Sequence, residues 1–223
     1  MTESGKNHWF AAGFVPVPKE NLMTDQDSSK IPAKATETNY LLAEDTALHL
    51  FQIAALMLGD EQQAVSLVEE TVARVESDPC AEGTVAYAEA RAMLLHTALQ
   101  RMEGLHPGAF VVPAIQPADT GCIETDDLGA AGLTGEEFGA LVTGAGRAGL
   151  REWLGRLTPA LRAIFVLRAV AGQDGEQTAE SLRQSGATGA QAWRRDQVGA
   201  AYRQALCSLA TCLMSSQLRL MPA

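Results

Sequence analysis

The sequence predicts an all-α protein in which two small helical domains are joined by a flexible linker, the C-terminal domain being a helix-turn-helix. Apolar residues recur at helical spacing in two separate blocks, residues 40–103 and 149–214, and residues 215–223 are predicted to form a short C-terminal tail. Between the blocks, residues 104–148 are rich in Gly, Pro and Asp. In the second block a short Gly-containing turn separates two helical segments, which is the order of a helix-turn-helix.

The first 39 residues predict a flexible tail. They contain Pro16, Pro18 and Pro32, the polar stretch TDQDSSK and no sustained periodicity. The alternative is that this segment docks on another surface through its apolar WF and GFV patches.

Residues 40–103 predict three amphipathic helices. The first runs from Tyr40 to about Leu58, and Gly59 followed by Asp60 ends it and opens the second, DEQQAVSLVEETVARVES. The third is AYAEARAMLLHTALQRME. The residues at helical spacing that define one face of each helix are Leu41, Leu48, Phe51, Ala55 and Leu58; Ala64, Leu67, Val68, Thr71 and Val75; and Tyr87, Ala90, Leu94, Ala98 and Arg101.

Residues 104–148 are predicted to form a long acidic linker, in which GEEFGALV is the one segment that could form a short helix. The acids Glu124, Asp126 and Asp127 within it are interpreted as part of the connector, with a cation site as the alternative.

The C-terminal block predicts four helices. Thr158 suits an N-cap and Pro159 the first helical position, so they separate the first two helices. EQTAESLRQ predicts a short third helix, and SGAT a turn and a cap before AQAWRRDQVGAAYRQALCSLATCLM. Apolar residues on this last helix that predict a core face are Trp193, Val198, Tyr202, Leu206 and Leu209.

Charge is distributed unevenly along the chain. The net charge is −10, yet the 9 basic residues of positions 149–223 outnumber the 5 acidic ones, and all of them are arginine. Arginine suits bidentate contact with phosphate or guanine. The only nucleic-acid surface that the sequence allows therefore lies at the C-terminal end.

No catalytic, cofactor or metal site is predicted. The four cysteines make no CxxC pair, the four histidines are scattered, and no phosphate-cradling or nucleophile motif is present. The cysteines are expected to be thiols in a reducing compartment. No apolar run reaches the roughly 20 residues that span a bilayer, and no signal sequence is apparent, so we expect a cytoplasmic protein without membrane insertion.

The stretch from LGRLTPALRAIF to AAYRQAL resembles the C-terminal DNA-binding domain of bacterial sigma factors of the extracytoplasmic-function group. In that family a Leu and a Pro precede a helix of the form xxRxxFxLR, then come a Gly-containing turn, an E-x-A-x-x-L helix and a basic recognition helix. The matching residues are Leu157, Pro159, Arg162, Phe165, Leu167, Arg168, Glu176, Ala179 and Leu182.

The segment LMLGDEQQAVSLVEETVARV resembles the core-polymerase-binding region of the same family. The matching residues are Leu58, Gly59, Asp60, Ala64, Leu67, Val68, Glu70 and Arg74. The resemblance implies promoter DNA contacts by Thr188, Gln191, Arg194 and Arg195, and contacts with core RNA polymerase by Ser66, Leu67, Glu69, Glu70 and Arg74.

Two functions follow from the resemblance. The first is a sigma factor that binds core RNA polymerase and directs promoter-specific initiation, with an anti-sigma factor as a further partner. The second is a sigma-like regulator that binds an anti-sigma factor or polymerase without reading promoters. Two observations favour the regulator. The chain is acidic overall, and the small residues Gly189, Ala190 and Ala192 stand where the family often has Lys, Ser or Arg. Arg194 and Arg195 either contact DNA or form a solvated face, with Arg194 paired to Asp196 or a neighbouring acid.

Overall fold

The structure, a computed structural model, describes the backbone of residues 33–75, 83–113 and 122–215. The chain divides into two units, Met1–Glu44 and Asp45–Ala223. Of the first unit, only the helical backbone of residues 33–44 is described. Most of the predicted N-terminal tail and all but Ser215 of the predicted C-terminal tail, 215–223, lie outside the described residues. Residues 33–39, predicted as tail, are helical.

The described residues form eight α-helices and no strand, so the all-α prediction is confirmed. Their bounds are α1 Ala33–Leu58, α2 Glu61–Arg74, α3 Gly83–Leu105, α4 Gly135–Thr143, α5 Arg147–Arg156, α6 Pro159–Phe165, α7 Gly175–Gln184 and α8 Arg195–Met214. No helix in this described part of the chain is both long enough and apolar enough to cross a membrane.

The three predicted N-terminal helices are present. Asp60 caps α2, its side chain accepting a hydrogen bond from the backbone N–H of Gln63, and α2 packs against α3. Leu67 of α2 and Leu94 of α3 are fully buried. Leu48, placed on the apolar stripe by its spacing, is instead 51% exposed, because the face of α1 on which it lies is not covered by another described element.

The predicted linker contributes to the core. Residues 128–131 form a 3₁₀ helix that lies against α8, and α4 packs against α5. Thr134 opens α4 with a capping box: its hydroxyl accepts from the N–H of Glu137, whose carboxylate accepts from the Thr134 N–H. Buried apolar residues of this predicted linker are Phe110, Ile123, Ala131, Leu133, Phe138, Leu141 and Val142.

Helices α5 and α6 are separated where the sequence predicted, at Thr158 and Pro159. Thr158 caps α6, accepting from the Leu161 N–H, and Pro159 is its first residue. Helix α6 continues into a π-helical turn, Val166–Val170, which holds Arg168. Trp153 of α5 packs edge-on against Phe165 of α6, with ring centroids 4.8 Å apart.

One hydrophobic core runs from α1 to α8. It includes Ile53 of α1, Leu99 of α3, Phe138 of α4, Phe165 of α6 and Leu206 of α8. The two separate helical domains predicted from the sequence are therefore not confirmed, because residues 45–223 form a single unit. Periodicity shows which face of a helix is apolar but not which helices share one core.

Two of the cysteines are joined. Cys122, at the start of the segment that leads to the 3₁₀ helix, forms a disulfide with Cys207 of α8, with Cα atoms 5.9 Å apart. The expectation that all cysteines are thiols is wrong for this pair, because chain folding brings together two residues 85 positions apart. Cys212 is a buried thiol, and Cys80 lies outside the described residues.

Candidate nucleic-acid interface

The candidate interface is the start of α8, which follows α7 across residues 185–194. Gly189 adopts φ +81° and precedes a 3₁₀ turn, Ala190–Ala192, and Trp193 follows in extended conformation as its C-cap. Helix α8 then begins at Arg195, five residues later than the sequence predicted. The backbone N–H of Arg194, the N-cap, donates to the side chain of Gln197 at 2.9 Å.

Arg194 and Arg195 are exposed at this helix start. Neither forms an ion pair with a residue that the structure describes. This includes Asp196, which the sequence suggested as a partner of Arg194. The stem of Arg195 lies over the first residue of α7, since a Cβ on Gly175 would meet Arg195 Cγ at 3.2 Å. Both residues are therefore exposed, and no carboxylate of the described residues neutralises their charge.

Other arginines that the structure describes in or just before the C-terminal block are engaged. Arg183 pairs with Glu176 and Glu180 on α7 and donates to the Trp193 carbonyl oxygen. Arg162 donates to the Met57 carbonyl oxygen at the end of α1. Arg147 and Arg151 both pair with Glu61 at the start of α2.

Thr188 and Gln191 are exposed but already bonded within the protein. The backbone N–H of Thr188 donates to the Glu103 carboxylate at the end of α3. The pKa of Glu103 is lowered by the N–H of Gly108, and further by hydrogen bonds from Thr188. The side-chain amide of Gln191 donates to the Arg183 carbonyl oxygen at 2.6 Å. Of the four predicted DNA-contacting residues, the structure thus leaves the two arginines unengaged.

The turn before α8 is anchored to the chain that follows α3. Trp193 is fully buried, and its indole N–H donates to the Phe110 carbonyl oxygen at 2.7 Å. Val111 lies so close to Gly189 that a Cβ there would meet it at 2.8 Å. The prediction that Trp193 is a core residue is confirmed, and its anchor comes from the segment predicted as linker.

A second group of charged residues lies about two turns further along α8, eight residues beyond Arg195. Arg203 pairs with Asp126 at 2.6 Å, and Arg168 lies 3.9 Å from the other oxygen of the same carboxylate. The Arg168 guanidinium also lies over the Tyr202 ring, 5.0 Å from its centroid. Burial raises the pKa of Tyr202, an effect that the charge of Arg168 opposes.

Sequence reasoning missed Arg168 and Arg203 as members of this interface. The signal for Arg203 was its spacing, because Arg195, Gly199 and Arg203 follow each other at four-residue intervals and share one helical face. Nothing in the sequence indicates that Arg168, on a different helix, joins them.

The predicted polymerase-binding residues lie on α2. Ser66 and Glu69 are exposed, whereas Leu67 is fully buried and belongs to the core. Glu70 pairs with Arg74 at 2.6 Å and with Arg101 of α3 at 2.5 Å. Two exposed valines that the sequence reasoning passed over, Val65 and Val72, flank Glu69 on the same face at 42% and 55% exposure.

Within the described part of the chain, no group of three or more His, Cys, Asp or Glu side chains could hold a metal ion. No protein-family model, no curated protein and no solved structure matches this chain.

Proposed function

We propose that this protein is a sigma factor that binds core RNA polymerase through α2 and contacts promoter DNA through the start of α8. The observation that carries the proposal is the exposed pair Arg194 and Arg195, which lacks an ion-pair partner among the described residues while the neighbouring arginines are engaged. Unpaired guanidinium groups at a helix start can address a base edge or a phosphate without first losing an internal contact.

The order of elements supports the proposal. Helices α7 and α8 follow each other in the chain and pack on each other, as the two helices of a helix-turn-helix do. Their connection, residues 185–194, has ten residues and contains a 3₁₀ turn, so it is longer than the three or four residues typical of that motif. The core of residues 45–215 fixes α8, because Val198, Tyr202, Leu206 and Leu209 are buried. The opposite face and the N-terminal end of α8 remain for a ligand.

The exposed face of α2 supports polymerase binding. Val65, Glu69 and Val72 combine apolar and acidic side chains on one helical face. Protein interfaces use such apolar centres with charged surroundings. A basic, partly apolar helix of polymerase would complement this face.

The first experiment measures DNA binding by the full chain. A labelled mixed-sequence duplex is titrated with wild-type protein and with Arg194→Ala/Arg195→Ala at several salt concentrations. We expect lower affinity for the variant and a salt slope smaller by up to about 0.9 for each lost phosphate contact. The control is Arg147→Ala/Arg151→Ala. It also removes two positive charges, but from arginines that pair with Glu61, and it is expected to keep the wild-type salt slope. An unchanged slope for Arg194→Ala/Arg195→Ala would contradict the DNA contact.

The second experiment reconstitutes core polymerase with the protein and measures initiation from genomic DNA fragments. We expect enriched start sites that depend on the protein and disappear with Arg194→Ala/Arg195→Ala. Glu69→Lys should weaken core binding and leave the affinity for free duplex DNA unreduced. If core polymerase does not bind the protein, the sigma proposal is wrong.

A sigma-like regulator that does not read promoters is the second candidate function. The observation that favours it is the engagement of Thr188 and Gln191 with Glu103 and Arg183, which leaves few free polar groups at the start of α8. Core binding without initiation at any enriched site would support this regulator over the sigma factor.

A further inference from the structure

A short acidic segment covers part of α8. This covering segment, residues 122–127, begins at Cys122, which is bonded to Cys207, and reaches Asp126, which lies on Gly199 and Arg203. The contacts with Cys207, Arg203 and Gly199 run from the middle of α8 towards its N-terminal end. The segment therefore lies along the face of α8 that also carries Arg195.

The carboxylate of Asp126 occupies a formed anion site. One oxygen is 2.6 Å from Arg203 Nη1, and the other is 3.9 Å from Arg168 Nη2. Gly199 is what permits this approach, because a Cβ there would meet Asp126 Oδ2 at 3.0 Å and Arg203 Nη1 at 3.3 Å. Two guanidinium groups and a bare stretch of helix backbone thus surround one carboxylate.

Asp126 satisfies this site incompletely. The side chain of Arg168 is 11% exposed, its Nε is buried without a hydrogen-bond partner in the structure, and its ion pair to Asp126 is long. The same guanidinium lies 3.9 Å from the position of a Cβ on Gly175, where the stem of Arg195 also passes. Arg168, Arg203 and the stem of Arg195 therefore lie near one another, between the start of α7 and the first turns of α8.

We propose that this site, formed by Arg168, Arg203 and the backbone at Gly199, binds a DNA phosphate, and that Asp126 occupies it as an internal competitor held by the Cys122–Cys207 disulfide. The inference rests on the proposed DNA contact of Arg194 and Arg195 and extends that interface along α8. A phosphodiester has two non-bridging oxygens, so it can accept hydrogen bonds from both guanidinium groups, whereas the carboxylate accepts one from Arg203 and lies 3.9 Å from Arg168.

Reduction of the disulfide releases the competitor. A thiolate of a dithiol reductant attacks one sulfur of the Cys122–Cys207 bond, forming a mixed disulfide and releasing the other cysteine as a thiolate. The second thiolate of the reductant then displaces the first cysteine. The reductant leaves as its own disulfide, and Cys122 and Cys207 have together gained two electrons and two protons. Cys122 is exposed, so the reductant can reach it.

The test compares DNA binding by the full oxidised chain with that of Asp126→Asn, which removes the competing charge and keeps the shape of the side chain. A labelled mixed-sequence duplex is titrated at several salt concentrations. We expect tighter binding and a salt slope steeper by about 0.9, the value for one additional phosphate. The matched control is Glu124→Gln, which changes net charge equally at an exposed acid that has no ion pair with a described residue. Its slope is expected to equal that of the wild type.

Reduction provides the second arm. Treating the wild-type protein with a dithiol is expected to produce the same steeper slope, and Cys122→Ala/Cys207→Ala to show it without reductant. Arg203→Ala combined with Asp126→Asn is expected to abolish the gain. Hydrogen exchange should increase in residues 122–131 on reduction, which reports release of the covering segment independently of DNA.

The outcomes separate this inference from the proposed function. If DNA binding depends on Arg194 and Arg195 but neither Asp126→Asn nor reduction changes the slope, the phosphate site is wrong and the DNA contact stands. Unchanged exchange in residues 122–131 on reduction overturns the disulfide as the element that holds the competitor. If no form binds DNA, including Asp126→Asn, both proposals fail.

Discussion

The role of each arginine is decided by the groups that surround it. Arg162 is half-buried against the end of α1, where burial lowers its pKa and the Met57 carbonyl oxygen accepts a hydrogen bond from its Nη1. Gly59, at φ +75°, makes room for it, since a Cβ there would lie 3.0 Å from Arg162 Nη1. Arg194 has the same side chain but no such neighbours. Identical residue types in one segment therefore serve packing in one place and remain available for a ligand in another.

The two buried tryptophans of the C-terminal half give a prediction at this scale. Trp193→Phe leaves the buried Phe110 carbonyl oxygen without its donor, whereas Trp153→Phe leaves the Ser208 hydroxyl, which is exposed and can bond to water. We expect Trp193→Phe to lower the free energy of unfolding by about 1–3 kcal/mol more than Trp153→Phe does. Urea denaturation of both variants measures the difference. Equal losses would mean that the indole hydrogen bond to Phe110 does not form in solution.

At the level of single elements, capping and packing together stabilise helices in segments whose composition does not favour a helix. Helix α4 has only nine residues, too few for a stable isolated helix. The capping box of Thr134 and Glu137 satisfies its first N–H groups, and Phe138 and Leu141 join the core. The helix exists because its apolar face is covered, which composition rich in Gly and Asp does not reveal.

Helix α4 gives the prediction at this scale. Phe138→Ala removes a buried ring that packs edge-on against Phe165, and we expect it to lower the free energy of unfolding by about 3–5 kcal/mol. Ala140→Ser, at an exposed position of the same helix, should change it by less than about 0.5 kcal/mol. Chemical denaturation of the two variants provides the measurement. If Phe138→Ala costs no more than Ala140→Ser, the segment is a linker after all.

At the scale of the whole molecule, the acidic and basic parts of the sequence are paired across the fold. Glu61 of α2 meets Arg147 and Arg151 of α5, and Asp126 meets Arg203 of α8. These pairs are partly exposed, so each is worth about 1 kcal/mol or less. Their main effect is on charge, because Glu61 and Asp126 neutralise Arg151 and Arg203 of the C-terminal block. Arg194 and Arg195 form no ion pair with a described residue and remain exposed.

A shared core predicts one cooperative unfolding transition for residues 45–215. With the disulfide intact, urea unfolding followed by tryptophan fluorescence, which reports Trp153 and Trp193 in the C-terminal half, should coincide with unfolding followed by helical circular dichroism. The dichroism includes α1–α3, whose core residues join those of α8. Two separated midpoints would restore the division into independent domains.

Local patterns in the chain were enough to predict the all-α class, most helix positions and the buried face of α8, because these depend on periodicity, on caps such as Asp60 and Thr158, and on the spacing of apolar residues. They also drew attention to Arg194 and Arg195. Three features became visible only in the folded chain: residues 122–143 belong to the core, Cys122 is bonded to Cys207, and Asp126, Arg168 and Arg203 form one site. Those contacts join residues far apart in the chain, and their geometry depends on how helices pack, which no local pattern records.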